Sequence, residues 1–99
     1  MSDFHTDDVT EVTFTQMVSA SGLTATELTE LVRYGVVVPR DPAAAPMTFE
    51  ARWVFTARTA SRLRRELDLD AYGVSVAMGF LERIEALEAE LRALRARLG

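Results

Sequence analysis

Two helix-start signatures, met in quick succession, constrain this chain more than any other feature. In Thr13-x-x-Gln16 and again in Thr24-x-x-Glu27, a threonine hydroxyl can accept from the backbone N–H three residues on. The Gln or Glu oxygen can accept in return from the N–H of the threonine. Each box is flanked by an apolar pair at staple spacing, Val12 with Met17 and Leu23 with Leu28. The spacing predicts a helix over about Phe14 to Ala20, a Ser21-Gly22 stop, and a second helix from Thr24 to Tyr34 with Leu28, Leu31 and Val32 buried and Gly35 as its terminator. Two short helices joined by a Ser-Gly-Leu turn form a helix-turn-helix, in which the second helix offers its outer face to a partner.

That face is the wrong one for nucleic acid. It carries Ala25, Thr26, Thr29, Glu30 and Arg33, with Glu27 nearby, and no basic residue precedes Arg33. Direct readout of guanine depends on Arg or Lys on the reading helix, and Glu27 and Glu30 repel phosphate. Glu27, Glu30 and Arg33 are therefore candidate contacts for a cationic protein surface, with help from Asp7, Asp8 and Glu11. Leu23, Tyr34 or Val36 are candidate apolar anchors, since buried contacts usually carry more binding energy than rim charges. Glu27 also has a structural reading, as the carboxylate of a capping box.

Beyond the second helix, β-branched Val36 to Pro39 and strand-like Arg52 to Phe55 flank a breaker-rich loop, Asp41 to Pro46, and are expected to pair as a hairpin wing. Trp53 and Phe55 are read as core residues of that wing. Thr56 is expected to cap a third helix with Ala60, Leu63 and Leu67 inward and Arg58, Arg62 and Arg65 toward solvent, closed by Asp68 to Asp70. A fourth helix, about Ala71 to Leu98, has Ala77, Ile84, Leu91 and Leu98 at heptad position a and Phe80, Leu87 and Leu94 at d. In a parallel pair Arg83 would oppose Glu88 and Glu90 would oppose Arg95. Each exposed pair is worth only about 0.5 kcal/mol, so the seam of Phe80, Ile84, Leu87, Leu91, Leu94 and Leu98 is the expected dimer interface. The competing expectation is that this seam packs on the chain's own helices.

The fold class follows: mainly α, a winged helix-turn-helix with a small β-hairpin wing and a long C-terminal coiled-coil helix. The expected organisation is a flexible acidic lead-in over 1–11, a winged helix-turn-helix-like domain over 12–70, and a dimerisation helix over 71–99. A chain of 99 residues has a small core, so an oligomer interface would add needed burial. No apolar run is long enough to span a bilayer, and MSDFHTDDVT has neither the basic nor the apolar region of an export signal, so cytoplasmic residence is the expectation. With no cysteine and one histidine, His5 in the lead-in, neither a nucleophile–base pair nor a metal ligand set can be assembled. No enzyme activity, cofactor or metal is expected.

The order helix, turn, helix, Gly35-Val36-Val37-Val38-Pro39, wing, third helix and long terminal helix resembles the winged helix-turn-helix of MerR-type regulators. Arg52-Trp53-Val54-Phe55, the run Arg62 to Asp70, Gly73-Val74 and Val76-Ala77 ahead of a Leu/Arg/Glu-rich tail more closely resemble the CbpM family of chaperone modulators, over about residues 12 to 98. The chain departs from that pattern at Ala71-Tyr72, where a Trp-Pro-like pair is expected, and in its longer, Ala- and Pro-rich loop. The resemblance implies a chaperone modulator that binds the J-domain of a CbpA- or DnaJ-type co-chaperone and restrains both its work with DnaK and its DNA binding. The alternative is a MerR-family DNA-binding regulator. Between Arg33 and Arg65 the chain has seven arginines against Asp41 and Glu50, and Arg40, Arg52, Arg58 and Arg62 are the candidate phosphate contacts. On the first reading, DNA binding is weak or absent.

Overall fold

The computed structural model describes residues 10–99, so the His5, Asp7 and Asp8 readings, and most of the acidic lead-in, lie outside the described residues. The chain runs β1 (Glu11–Thr13), α1 (Phe14–Ser21), α2 (Ala25–Arg33), β2 (Thr48–Glu50), α3 (Trp53–Leu67) and α4 (Ala71–Leu98). Both capping boxes form as expected. Thr13 Oγ1 accepts from Gln16 N at 3.1 Å while Gln16 Oε1 accepts from Thr13 N at 2.9 Å, and Thr24 and Glu27 repeat the exchange at 3.0 Å in each direction.

Helix ends follow the same local logic. Gly22 ends α1 in the left-handed region (φ 83°) with its N–H on the Val18 carbonyl. At the end of α2, Gly35 is left-handed (φ 77°). Its N–H reaches Val32 O, and Val36 N reaches back to Leu31 O, the paired bonds of a Schellman cap sealed by buried Leu31 and Val36. Asp68 closes α3 at φ 55°, and Asp70 caps α4 through Gly73 N at 2.8 Å.

The core joins Met17 of α1, Leu23 of the turn, Leu28 and Leu31 of α2, and Val36 and Val37 after it to Phe49 of β2, Ala57 and Ala60 of α3, and Ala71 and Val74 of α4. Ala57, Ala60 and Ser61 are small enough for α3 to lie close against α1. The first turns of α4 belong to this core, and the rest of that helix leads away from it.

The small antiparallel sheet is present, but its strands differ from those expected. Val36 to Pro39 is not a strand, and Trp53 to Phe55 opens α3. The pairing is β1 with β2, Val12 opposite Phe49, so the segment leading into the first helix closes on the strand that follows the Pro-rich loop. Glu11 is therefore part of the sheet and not of the lead-in. Three further expectations change with it. Thr56 lies inside α3, whose start is an uncapped turn at Arg52. Phe55, expected in the core, is 76% exposed, and Leu67, expected inward, is 60% exposed. Trp53 does pack against the core, half-buried.

Gly22 is the most demanding backbone position. Its left-handed φ disfavours any side chain by about 1–2 kcal/mol, and a Cβ there would stand 3.0 Å from Arg65 Nη2 and 3.4 Å from Ser61 Oγ. Gly22→Ala should therefore lower unfolding free energy by at least about 1 kcal/mol in urea titration. An unchanged midpoint would show that the turn is not under this constraint.

Candidate partner-binding face

α2 turns Leu28 and Leu31 inward and leaves Ala25, Thr26, Thr29, Glu30 and Arg33 outward, where they line a shallow depression with Phe14 of α1. The Glu30 carboxylate has no hydrogen-bond or ion-pair partner among the described residues. Glu27 is different: Oε1 accepts from Thr24 N and Oε2 accepts from Arg64 Nε at 3.1 Å, with both side chains about three-quarters covered. Both oxygens are engaged within the chain, so Glu27 is corrected from a partner contact to a residue that positions α2 against α3. Leu23 is corrected as well. It is 3% exposed, and its staple position puts it under α2, so it offers no surface. Val36 is buried in the Schellman cap. Of the anchors expected from sequence, Tyr34 alone remains on the surface, where its ring meets that of Tyr72 edge-to-face at 6.0 Å.

The arginines of α3 do work that sequence reasoning missed. Arg58 Nε donates to Ala20 O at 3.0 Å and Arg65 Nη2 to Gly22 O at 2.6 Å, so both satisfy carbonyls at the open end of α1, where the helix dipole favours positive charge. Arg64 holds Glu27. A signal was available: Arg58, Ser61 and Arg65 share one face of α3 at helical spacing, with a small residue between two long cations. Arg52 donates to Glu50 Oε1 at 2.7 Å and lies 4.7 Å over the Trp53 ring. That hydrogen bond and charge, helped by the Arg40 charge, hold the Glu50 carboxyl below the usual carboxylate range. The pairing also relieves the like-charge contact of Glu50 with Glu11 across the sheet. Of the four candidate phosphate contacts, Arg52 and Arg58 are thus engaged internally, and Arg62 lies 4.0 Å from Glu66.

Capped helices, three internally tied arginines of α3 and an outer face carrying Glu30 and Arg33 are the features of this fold. Residues 12–96 match the family of MerR helix-turn-helix regulatory proteins. The chain is 37% identical over 86 residues to the chaperone modulatory protein CbpM of Escherichia coli O139:H28 (strain E24377A / ETEC), of Escherichia coli (strain K12 / DH10B) and of Shigella boydii serotype 18 (strain CDC 3083-94 / BS512), an alignment covering 87% of this chain and 85% of each relative. The chain belongs to the CbpM family of chaperone modulators. Its MerR-type domain is the scaffold that presents the α2 face, and none of these relatives is named as an enzyme.

The terminal helix gives this CbpM-family protein a second surface. Phe80, Ile84, Leu87, Leu91, Leu94 and Leu98 are all between 46% and 87% exposed, so the seam does not pack on the chain's own helices as the competing expectation held. Val74 is buried and Met78 packs against the core, while Val76 and Leu81 are more than a third exposed. Among the described residues no helix is long and apolar enough to cross a membrane.

Proposed function

We propose that this chain binds the J-domain of a CbpA- or DnaJ-type co-chaperone through the outer face of α2, and in doing so inhibits its co-chaperone work and its DNA binding. The observation that carries the reading is the division of charge. Arg58, Arg64 and Arg65 are tied to backbone carbonyls or to Glu27, whereas Glu30 faces outward without a partner among the described residues. With Arg33 beside Glu30 the face has no net positive charge to attract polyanions, and the free Glu30 carboxylate gives a basic side chain of a bound helix its counter-charge. The contact set is Glu30, Arg33 and Tyr34, with Glu27 holding the helix that presents them. A single charge reversal leaves α2 intact, because Glu30 lies outside both capping boxes. Glu30→Lys should weaken capture of an isolated J-domain about tenfold, as a loss of 1.4 kcal/mol requires, with less effect at high salt. An unchanged dissociation constant in isothermal titration would move the interface elsewhere.

The same reading includes a homodimer through α4, because a half-exposed row of Leu, Ile and Phe costs solubility unless covered. Each such side chain buried contributes roughly 1.5–3 kcal/mol, well above the about 0.5 kcal/mol of a flanking ion pair. Charge along the helix favours an antiparallel partner over the parallel one suggested by the flanking pairs alone. Glu82, Glu85, Glu88 and Glu90 crowd its first exposed half, and Arg92, Arg95 and Arg97 occupy its end. Antiparallel packing sets acidic half against basic half and Arg83 against Glu90 twice, with Ala77 over Leu94, Phe80 over Leu91 and Ile84 over Leu87. Light scattering should give twice the 11.0 kDa chain mass, and Leu87→Glu should give the single mass with helicity in the winged domain retained. A single-chain mass for the unmodified protein would refute the dimer.

A further inference from the structure

The junction of α2 and α4 has a feature that the α2 face alone does not explain. Tyr34, at the C-cap of α2, and Tyr72, in the first turn of α4, are 46% and 61% exposed, yet their rings meet at 6.0 Å and 63°. Beside them is a depression of about 140 Å³ lined by Glu30, Arg33, Tyr34, Asp70, Ala71 and Tyr72. Its size is informative. Drug-sized ligands and cofactors occupy about 300–1,000 Å³, whereas this depression has room for the head of one side chain. Its chemistry is equally restrictive: two aromatic rings, whose faces carry the negative part of the quadrupole, stand beside the carboxylates of Glu30 and Asp70, against the single guanidinium of Arg33.

We infer that the Tyr34–Tyr72 pair is the anchor point of the partner-binding face, a half-open aromatic cradle that receives one basic side chain of the bound helix, with Glu30 as its counter-charge. The inference deepens the J-domain reading and rests on it. The cation lies against a tyrosine ring and reaches the Glu30 carboxylate from the same position, so the attraction to the ring, which bulk salt screens little, adds to an ion pair, which salt weakens. Asp70 contributes charge while its Oδ1 continues to cap Gly73 N. With Phe14 on the other side of Glu30, the exposed rings supply the large apolar surface at the C-terminal end of the α2 face, since Leu23 and Val36 are buried. Because one tyrosine comes from α2 and the other from α4, the cradle exists only while the terminal helix is seated on the helix-turn-helix.

The test uses the full chain and an isolated J-domain, with dissociation constants measured at low and high salt for the unmodified protein, Tyr72→Ala, Tyr72→Phe and Glu30→Lys. Tyr72→Ala should weaken binding about tenfold at both salts, Tyr72→Phe should stay within about twofold, and the Glu30→Lys deficit should shrink as salt rises. Circular dichroism and mass should be those of the unmodified protein for both tyrosine variants. Binding by Tyr72→Ala equal to the unmodified chain, with Glu30→Lys still defective, overturns the cradle and leaves the α2 face standing. Tyr72→Phe as weak as Tyr72→Ala also overturns it, because the hydroxyl and not the ring would then be the contact. If the unmodified chain fails to bind the J-domain, the cradle falls together with the reading beneath it.

Discussion

The contacts on which the rest of the structure depends are those that α3 makes with the helix-turn-helix through its arginines. Helices of the length of α1 and α2 are marginal by themselves in water, because nucleation is costly and few turns follow it. Their starts are secured by the two capping boxes, but the end of α1 and the turn after it leave carbonyls that no local group satisfies. Arg58 and Arg65 donate to two of them, on Ala20 and Gly22, and Arg64 clamps Glu27 at the start of α2. Beside these arginines the small residues Ala57, Ala60 and Ser61 let α3 approach closely enough for the side chains to reach. A charged group within hydrogen-bond reach of a helix C-terminus is favoured twice, by the bond and by the dipole.

That use of arginine has a consequence for the surface. In a domain with a MerR-type layout, positive charge on the face of the helix-turn-helix would serve a phosphate backbone. Here Arg58, Arg64 and Arg65 are drawn to the seam between α1, α2 and α3, and the α2 face is left with the carboxylate of Glu30 beside the guanidinium of Arg33. On α4 an acidic half and a basic end are separated along one exposed apolar seam.

Much of the fold was legible in the sequence because its signals were local. Thr13 with Gln16, Thr24 with Glu27, Gly22, Gly35 and Asp70 each act on residues within a turn of themselves, and they stand where expected. The heptad of α4 was equally plain, since its period repeats along one element. The sheet was not legible. Its strands are three residues each and far apart in the chain, and Val36 to Pro39 and Arg52 to Phe55 have stronger strand character than Thr48 to Glu50. Pairing is decided by Val12 and Phe49 closing over the core, a tertiary preference that overrides propensity. At the candidate site, Glu30 and Tyr34 were readable as outward residues. Glu27 and Leu23 were misassigned because the same capping pattern that identifies them also commits them inward, and Tyr72 was legible only as a departure from the family pattern because the ring it meets, Tyr34, lies on another helix.

The central claim is that Arg58, Arg64 and Arg65 serve the interior and that the α2 face, through Glu30, serves a basic protein surface. The most direct measurement is a pair of anisotropy titrations of the full chain at about physiological salt, one against a labelled J-domain and one against labelled duplex DNA, each repeated at higher salt. The account predicts saturable capture of the J-domain, and DNA binding no tighter than the roughly 10⁻⁴–10⁻⁶ M of non-specific association. Tight, sequence-selective DNA binding without retention of the J-domain would contradict it.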